Sequence, residues 1–247
     1  MALIDSQVAY WKLEEASGTR EDSHGANDLT DNNTVGQAAG IIGNAASFIQ
    51  ANSEYLSIAD NTDMSTGDIS FFFSAWVYLS ELTSTKIIVG KMDGVLDEYR
   101  LYYFASDTFY FEVFGITTSL AVGSTTFGAP SANTWYNVVG KHDAAANLIG
   151  IAVNAGTEDT SSYSAGVNNG VGTFGISDAS AGGQYWAGRI DEVGFWKRAV
   201  TAQDRTDLYN GGAGNQYPYG AVAASMVPSG FGYSPLQLWL EEGVLEE

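Results

Sequence analysis

The stretch ISFFFSAWVYL, residues 69–79, constrains the fold more than any other part of the chain. Ile69, Phe71, Phe73, Ala75, Val77 and Leu79 share one parity, and Ser70, Phe72, Ser74, Trp76 and Tyr78 take the other. Successive side chains of a strand point to opposite sides, so this is a strand with one apolar face and one aromatic-polar face. It is too short to span a bilayer. Further strands are expected at 45–50, 54–58, 86–91, 98–105, 108–114, 134–142, 147–154, 172–177 and 186–197. Segments rich in Gly, Asn, Asp, Ser and Thr separate them. Many short strands at near-regular spacing predict an all-β, antiparallel sandwich or barrel. The chain has 247 residues, which suits one such unit, and 45% of them are hydrophobic, enough for a sizeable core.

One short helix is expected before the tail. Thr201 and Asp204 form a T-x-x-D capping pattern, Leu208 and Tyr209 follow, and Gly211 and Gly212 supply the stop. A lone helix after the last strand reads as a cover over a sheet edge. The strand-rich unit is placed at 1–220. Residues 221–247 change character and end in PLQLWLEEGVLEE. Leu236, Leu238, Trp239 and Leu240 are too apolar for a free tail, so this C-terminal extension either folds back or docks on a partner, and docking is the expectation. That partner would be another protein of an assembly or a second copy of the chain.

The chain carries 10 basic and 29 acidic residues, a formal net charge of −19. Nucleic-acid affinity rests on Lys and Arg displacing counterions, so no nucleic-acid partner is expected. Anionic lipid is disfavoured on the same ground, and no membrane insertion is expected. With no cysteine, disulfides and thiolate metal sites are excluded. The two histidines, His24 and His142, do not suggest a zinc site, and His142 reads as a partly exposed strand residue. The start, MALIDSQVAYWKLEE, has no basic stretch followed by an apolar run, so no export signal is expected.

Read in order, VAYWKLEEASGTREDSHGANDLTDNNTV, AGIIGNAASF, EYLSI, FSAWVYL, IVGKMD, TWYNVV and GRIDEVGFWKRAVTAQDRTDLYNGG resemble a laminin-G-like jelly-roll domain of the concanavalin A-like lectin and glucanase superfamily. The resemblance runs from about Val8 to about Gly214. It implies two antiparallel sheets in a jelly-roll sandwich, one of them often carrying a ligand site. It also suggests that Trp11, Trp76, Trp135 and Trp196 are core. One departure is VNAG at 153–156, where Ala155 stands between Asn154 and Gly156 in place of a tight turn.

Glucanases of that superfamily carry E-x-D-x-x-E or E-x-D-x-E on one strand. Here Arg189 occupies the first glutamate position, and Val193 and Gly194 follow where the second would stand. Asp191 and Glu192 are adjacent, so an extended strand would turn them to opposite faces, unable to act on one sugar. The chain therefore reads as non-catalytic. Calcium is the one cofactor the sequence suggests. REDSHGANDLTDN supplies Glu21, Asp22, Ser23, Asn27, Asp28 and Asp31, and the resemblance brings this loop near Asp191, making Asp22 with Asp191 the leading pair. The same residues also read as solvated turn residues. Sugar stacking would fall to exposed aromatics: of Tyr99, Tyr102, Tyr103, Phe109, Tyr110 and Trp186, the leading set is Tyr99, Tyr102, Tyr110 and Trp186. Which parity of 98–105 faces the core is left open.

Two compatible readings of function result. One is a lectin-like binding or adhesion module, secreted or at a cell surface. The other, which is preferred, is a bacteriophage virion component, a capsid decoration or tail and fibre protein displaying the sandwich and binding host-surface glycans. It draws on the acidic, cysteine-free composition, the apolar tail and the missing export signal. A glycan hydrolase or lyase ranks last.

Overall fold

In the computed structural model, which describes residues 2–178 and 183–219, short strands alternate with tight turns. In chain order they are β1 (Gln7–Trp11), β2 (Thr30–Asn32), β3 (Gly36–Ala39), β4 (Asn44–Phe48) and β5 (Tyr55–Ile58). Next come β6 (Phe71–Leu79), β7 (Lys86–Lys91), β8 (Tyr99–Phe104), β9 (Thr108–Phe114) and β10 (Ser119–Gly123). The set ends with β11 (Trp135–Asp143), β12 (Leu148–Val153), β13 (Asp159–Ser162), β14 (Phe174–Ile176) and β15 (Gly188–Trp196), and helix α1 (Ala202–Tyr209) follows. All pairings of these strands are antiparallel, in two sheets. The eight-stranded sheet runs β13-β12-β11-β6-β15-β4-β3, with β1 also paired to β15, and the seven-stranded sheet runs β10-β9-β8-β7-β14-β5-β2. Of the sandwich and barrel that the strand pattern left open, the two-sheet, all-β sandwich implied by the resemblance is the observed architecture.

The inward parity of β6 is the predicted one. Phe71, Phe73, Ala75, Val77 and Leu79 join Ile190, Val193 and Phe195 of β15 in the core. The seven-stranded sheet contributes Tyr99, Leu101, Tyr103, Phe109, Phe111, Val113, Phe174 and Ile176. Phe73 stacks on Phe195 with centroids 4.4 Å apart and lies 4.9 Å from Tyr99. Burying one such ring contributes about 1.5–3 kcal/mol, so this aromatic layer is a main source of cohesion between the sheets.

The other parity of β6 is buried too. Phe72 lies in a second cluster with Leu3, Tyr10, Val139, Trp196, Val200 and Leu208, on the outer side of the eight-stranded sheet. Phe72 and Trp196 stack at 4.4 Å and 4°. Helix α1 therefore covers the middle of a sheet face and not a sheet edge, which corrects the sequence expectation. Its expected capping box is present: the Thr201 side chain accepts from Asp204 N, and the Asp204 carboxylate accepts from Thr201 N. Arg198 clamps the same carboxylate with bonds of 2.7 and 2.9 Å. The stop begins one residue early, at Asn210 in the left-handed region.

Other expectations change. Trp11 is core, whereas Trp76 and Trp196 are buried on the outer side of their sheet and Trp135 is partly exposed. His142 is buried, its Nδ1 bonded to Ile69 O at 2.8 Å and its ring 5.6 Å from Phe71. Strands β1, β2, β3, β10 and β13 fall outside the expected ones: QVAYW is a short run, and TDN, GQAA, SLAVG and DTSS lack a sustained apolar alternation. Leu236, Leu238, Trp239 and Leu240 lie outside the described residues.

The 153–156 departure resolves into a tight hairpin turn. Gly156 N donates to Val153 O at 2.9 Å, and both central residues, Asn154 (φ 53°) and Ala155 (φ 54°), are left-handed. Positive φ at both central positions marks the type I′ turn that matches strand twist. Asn tolerates that conformation, while Ala is strained in it by about 1–2 kcal/mol. Ala155→Gly is expected to stabilise the protein by about 0.5–1 kcal/mol, seen as a higher midpoint in urea unfolding followed by circular dichroism.

Candidate functional site

The two outer faces of the sandwich differ. On the eight-stranded sheet, α1 and residues 213–219 lie over the centre. Tyr217 and Tyr219 pack on Tyr10, and Tyr209 stacks on Trp76 at 5.7 Å. Beneath this cover sit Asp191 and Glu192, buried to 0% and 3% exposure.

Their placement corrects the sequence expectation of opposite faces. Asp191 pairs with Trp76 and Gly194 with Ser74, so β15 spends three steps where β6 spends two. The extra residue is Glu192, in the left-handed region at φ 51°. A bulge of this kind re-aims side chains. Ile190 and Val193 enter the core on either side of the bulge, and both acids project outward. Asp191 Oδ2 accepts from Ile41 N at 2.8 Å and Ile42 N at 3.3 Å. Glu192 accepts from the Tyr10 hydroxyl and from Gln216 Nε2. Burial pushes the Asp191 carboxyl up from 3.8 to about 8, with the neighbouring Glu192 charge adding to it and the two backbone donors opposing. Burial also pushes Glu192 up from 4.5 to about 7, opposed by the bonds from Tyr10 and Gln216. The two acids anchor a cover and a turn.

Asp22 serves a different loop. Its oxygens accept from Tyr10 N, His24 N and Asn27 N at 2.9, 3.0 and 3.0 Å. Donors already surround this carboxylate, whereas Asp191 has one buried oxygen, Oδ1, without a hydrogen-bond partner. Asp22 and Asp191 are thus engaged by separate backbone segments. Among the described residues no three His, Asp or Glu side chains gather as metal ligands.

The aromatic candidates separate cleanly. Tyr99 is core, its hydroxyl donating to Met64 O at 2.9 Å, and Trp186 is core, its indole N–H shared between Tyr78 O and Arg189 O. Neither is available to a ligand, because odd positions of β8 point inward and Trp186 fills the space beneath β6. Tyr103 and Phe109 are core as well. Tyr102 and Tyr110 do come together on the outer face of the seven-stranded sheet, paired across β8 and β9 and stacked at 5.6 Å and 19°. Gly123 of β10 lets Tyr110 lie over it, since a Cβ there would stand 2.8 Å from the ring. Phe104, missed in the sequence, is 44% exposed and meets Tyr110 edge-on at 5.8 Å. Its even parity on β8 was the available signal.

Polar groups flank these rings. Arg100 sits 4.4 Å over the Tyr102 ring and donates through Nε to Glu112 Oε2 at 2.7 Å. Burial, with the Glu112 charge second, raises the Tyr102 hydroxyl to about 12, so it stays a donor throughout the physiological range. The result is a ring platform of Phe104 and Tyr110, backed by Tyr102, beside a paired cation and anion. A polar cavity of about 470 Å³ elsewhere is lined by Asp60, Asn61, Thr62, Ser65, Thr66, Gly67 and Asn169. It holds no aromatic ring, and a platform for the apolar face of a sugar needs one.

Residues 50–204 match the sequence model of the Laminin_G_3 family, described as the concanavalin A-like lectin/glucanases superfamily. No curated protein matches the chain. Among solved structures, the binding domain of Paraclostridial Mosquitocidal Protein 1 superposes with a TM-score of 0.71 at 14% identity, covering 85% of this chain and 53% of that one. Domain 4 of AbnA, a GH43 extracellular arabinanase from Geobacillus stearothermophilus solved with arabinotriose, gives 0.63 at 17% identity, covering 83% and 98%. The binding domain of Botulinum Neurotoxin DC in complex with SialylT gives 0.62 at 12% identity, covering 85% and 52%. At these identities the likeness is one of fold, and the chain spans about half the length of the two toxin binding domains.

The buried acids set a pH dependence. Both folded values lie above the unfolded ones, so their contribution to stability is complete below about pH 4 and is lost as the pH rises through about 7 and 8. The melting temperature is expected to fall from about pH 5 to about pH 9, and Asp191→Asn to remove a large part of that fall. Calorimetry of both proteins across this range checks it; parallel curves would mean that Asp191 carries no such linkage.

Proposed function

Because the chain belongs to the laminin-G-like family of the concanavalin A-like lectin/glucanase superfamily, we propose that it is a non-catalytic module that binds glycans on the outer face of its seven-stranded sheet. The observation that carries this reading is the ring platform of Phe104 and Tyr110, with Tyr102, Arg100 and Glu112 alongside. Aromatic faces stack on the C–H surfaces of a pyranose, and the flanking charged groups fix its hydroxyls. The opposite sheet offers no equivalent at its centre, where α1 and Tyr217 lie. The fold is shared with AbnA domain 4, solved with arabinotriose, and with a toxin binding domain solved with SialylT, which supports a saccharide as the ligand class.

A non-catalytic role agrees with the state of the acid pair. Asp191 and Glu192 are on one face, yet buried and bonded to Ile41, Ile42, Tyr10 and Gln216. A glycosidase needs its two carboxyls on either side of an accessible sugar.

The test is a glycan array probed with the full chain, once with calcium and once with chelator. Tyr110→Ala is expected to weaken binding to the best glycan by about tenfold or more, the loss of one stacking face. Binding that survives both Tyr110→Ala and Phe104→Ala would move the site elsewhere. A calcium requirement would reopen Asp191 as an ion ligand.

A second reading is favoured by the apolar composition of 221–247: the sandwich is displayed on a larger assembly, such as a phage capsid or tail, and held there by this segment. Truncation after residue 220 is expected to leave a folded domain with an unchanged melting temperature that no longer joins the particle or self-associates, measured by light scattering and reconstitution. A truncated chain that aggregates would place the segment in the core instead.

A further inference from the structure

A second cluster of rings and charge lies on the opposite sheet, beyond the cover. Trp135 of β11, Tyr78 of β6 and Arg189 of β15 stand on one rung, with Trp135 opposite Tyr78 and Tyr78 opposite Arg189. Their neighbours Tyr136, Val77, Leu79 and Ile190 enter the core, so all three side chains project outward. Among the described residues the cover ends before them: Tyr209, the last residue of α1, stacks on Trp76, two residues away along β6. Each of the three is partly exposed. The Trp135 and Tyr78 rings are 5.5 Å apart at 55°, and the Arg189 guanidinium lies 4.6 Å from the Tyr78 centroid.

The charge state of this cluster sets it apart. Arg20, Lys86, Lys91, Arg100, Lys141, Arg198 and Arg205 each have a carboxylate within 4.0 Å. Of the other three basic residues, Lys12 lies in the field of Glu192, and Lys197 in those of Asp63 and Glu98. Arg189 has no carboxylate within that distance among the described residues. Its Nη1 donates to Ala39 O at 3.0 Å, and its Nε and Nη2 make no hydrogen bond among the described residues. In a chain with 29 acidic and 10 basic residues, a guanidinium without an acid partner is conspicuous.

We propose that Arg189, Trp135 and Tyr78 form a second saccharide site, selective for sugars that carry a carboxylate. A guanidinium presents a planar fork of donors that matches a carboxylate, and the Nε–Nη2 edge of this one makes no hydrogen bond among the described residues. The stack on Tyr78 holds the fork in place, so little freedom is lost on binding. Trp135, on the far side of Tyr78, presents the ring surface on which the pyranose lies. Neutral sugars lack the partner that repays desolvation of Arg189, and the chain's net charge of −19 turns away anions that do not reach the guanidinium. This site is separate from the Phe104–Tyr110 platform and does not depend on it.

The test titrates the full chain with trisaccharides of galacturonic, glucuronic and sialic acid, each beside its neutral counterpart, by calorimetry at low salt. At least one acidic sugar is expected to bind, with its neutral counterpart about tenfold weaker or undetectable. Arg189→Gln and Trp135→Ala are each expected to weaken it by about tenfold or more, and Phe104→Ala and Tyr110→Ala to leave it unchanged. The indole N–H resonance assigned through Trp135→Phe should shift on titration. If Arg189→Gln fails to fold, Arg189→Lys, which keeps the charge and loses the fork, is expected to show the same loss. The proposal is overturned if no acidic sugar binds, if Arg189→Gln binds as the parent does, or if the binding follows Tyr110→Ala instead. That last result would leave the platform on the other sheet intact as the glycan site, so the two readings fail separately.

Discussion

The stacking of Phe73 on Phe195, with Tyr99 against the pair, joins the two sheets at their centre. Both residues lie on strands buried on both sides. β6 and β15 put Phe73 and Phe195 into the sandwich core and Phe72 and Trp196 into the outer cluster. The eight-stranded sheet is therefore a middle layer, with the seven-stranded sheet on one side and α1 and its flanking loops on the other. Among the described residues, that arrangement leaves partly exposed aromatics on the outer face of the seven-stranded sheet and, on the eight-stranded sheet, at Tyr78 and Trp135.

Glu192 shows what a single inserted residue does to such a layer. The bulge keeps Ile190 and Val193 inward while bringing two neighbouring acids to the same side. It also marks where β15 changes partner, from β4 along 188–190 to β1 along 193–196. Burial of the acids is made tolerable by backbone donors at 41–42, by Tyr10 and Gln216, and by neutralisation of the carboxyls well into the range where exposed ones are charged. The pair works as a fastener between the closing strand, the β3–β4 turn and the segment after α1.

The site was legible only in part, for a reason specific to β8 and β9. YRLYYF and TFYFEVF carry aromatics on both parities, so composition cannot say which ring is core. Tyr102 and Tyr110 were within reach as candidates, but Tyr99 and Trp186 were equally so until Met64 O, Tyr78 O and Arg189 O appeared as their partners. Trp135 read as core because the resemblance puts it at a family-typical position. Its exposure follows from sitting at the strand's first residue, past the end of the cover. Arg189 was noticed only as the residue replacing a glutamate; that no carboxylate among the described residues pairs with it is a matter of three-dimensional neighbours.

The sequence by itself determined the fold class, the inward parity of β6 and the capped helix after the last strand. Each is set by local alternation or by contacts within a few residues, which periodicity and capping chemistry express directly. Only the tertiary structure decided that α1 covers a face, that Asp191 and Glu192 share a side, and which aromatics meet solvent. Those outcomes depend on which strands become neighbours and on where one extra residue interrupts the pleat. No period along the chain records either, because both arise from pairings between segments as far apart as Tyr10 and Glu192.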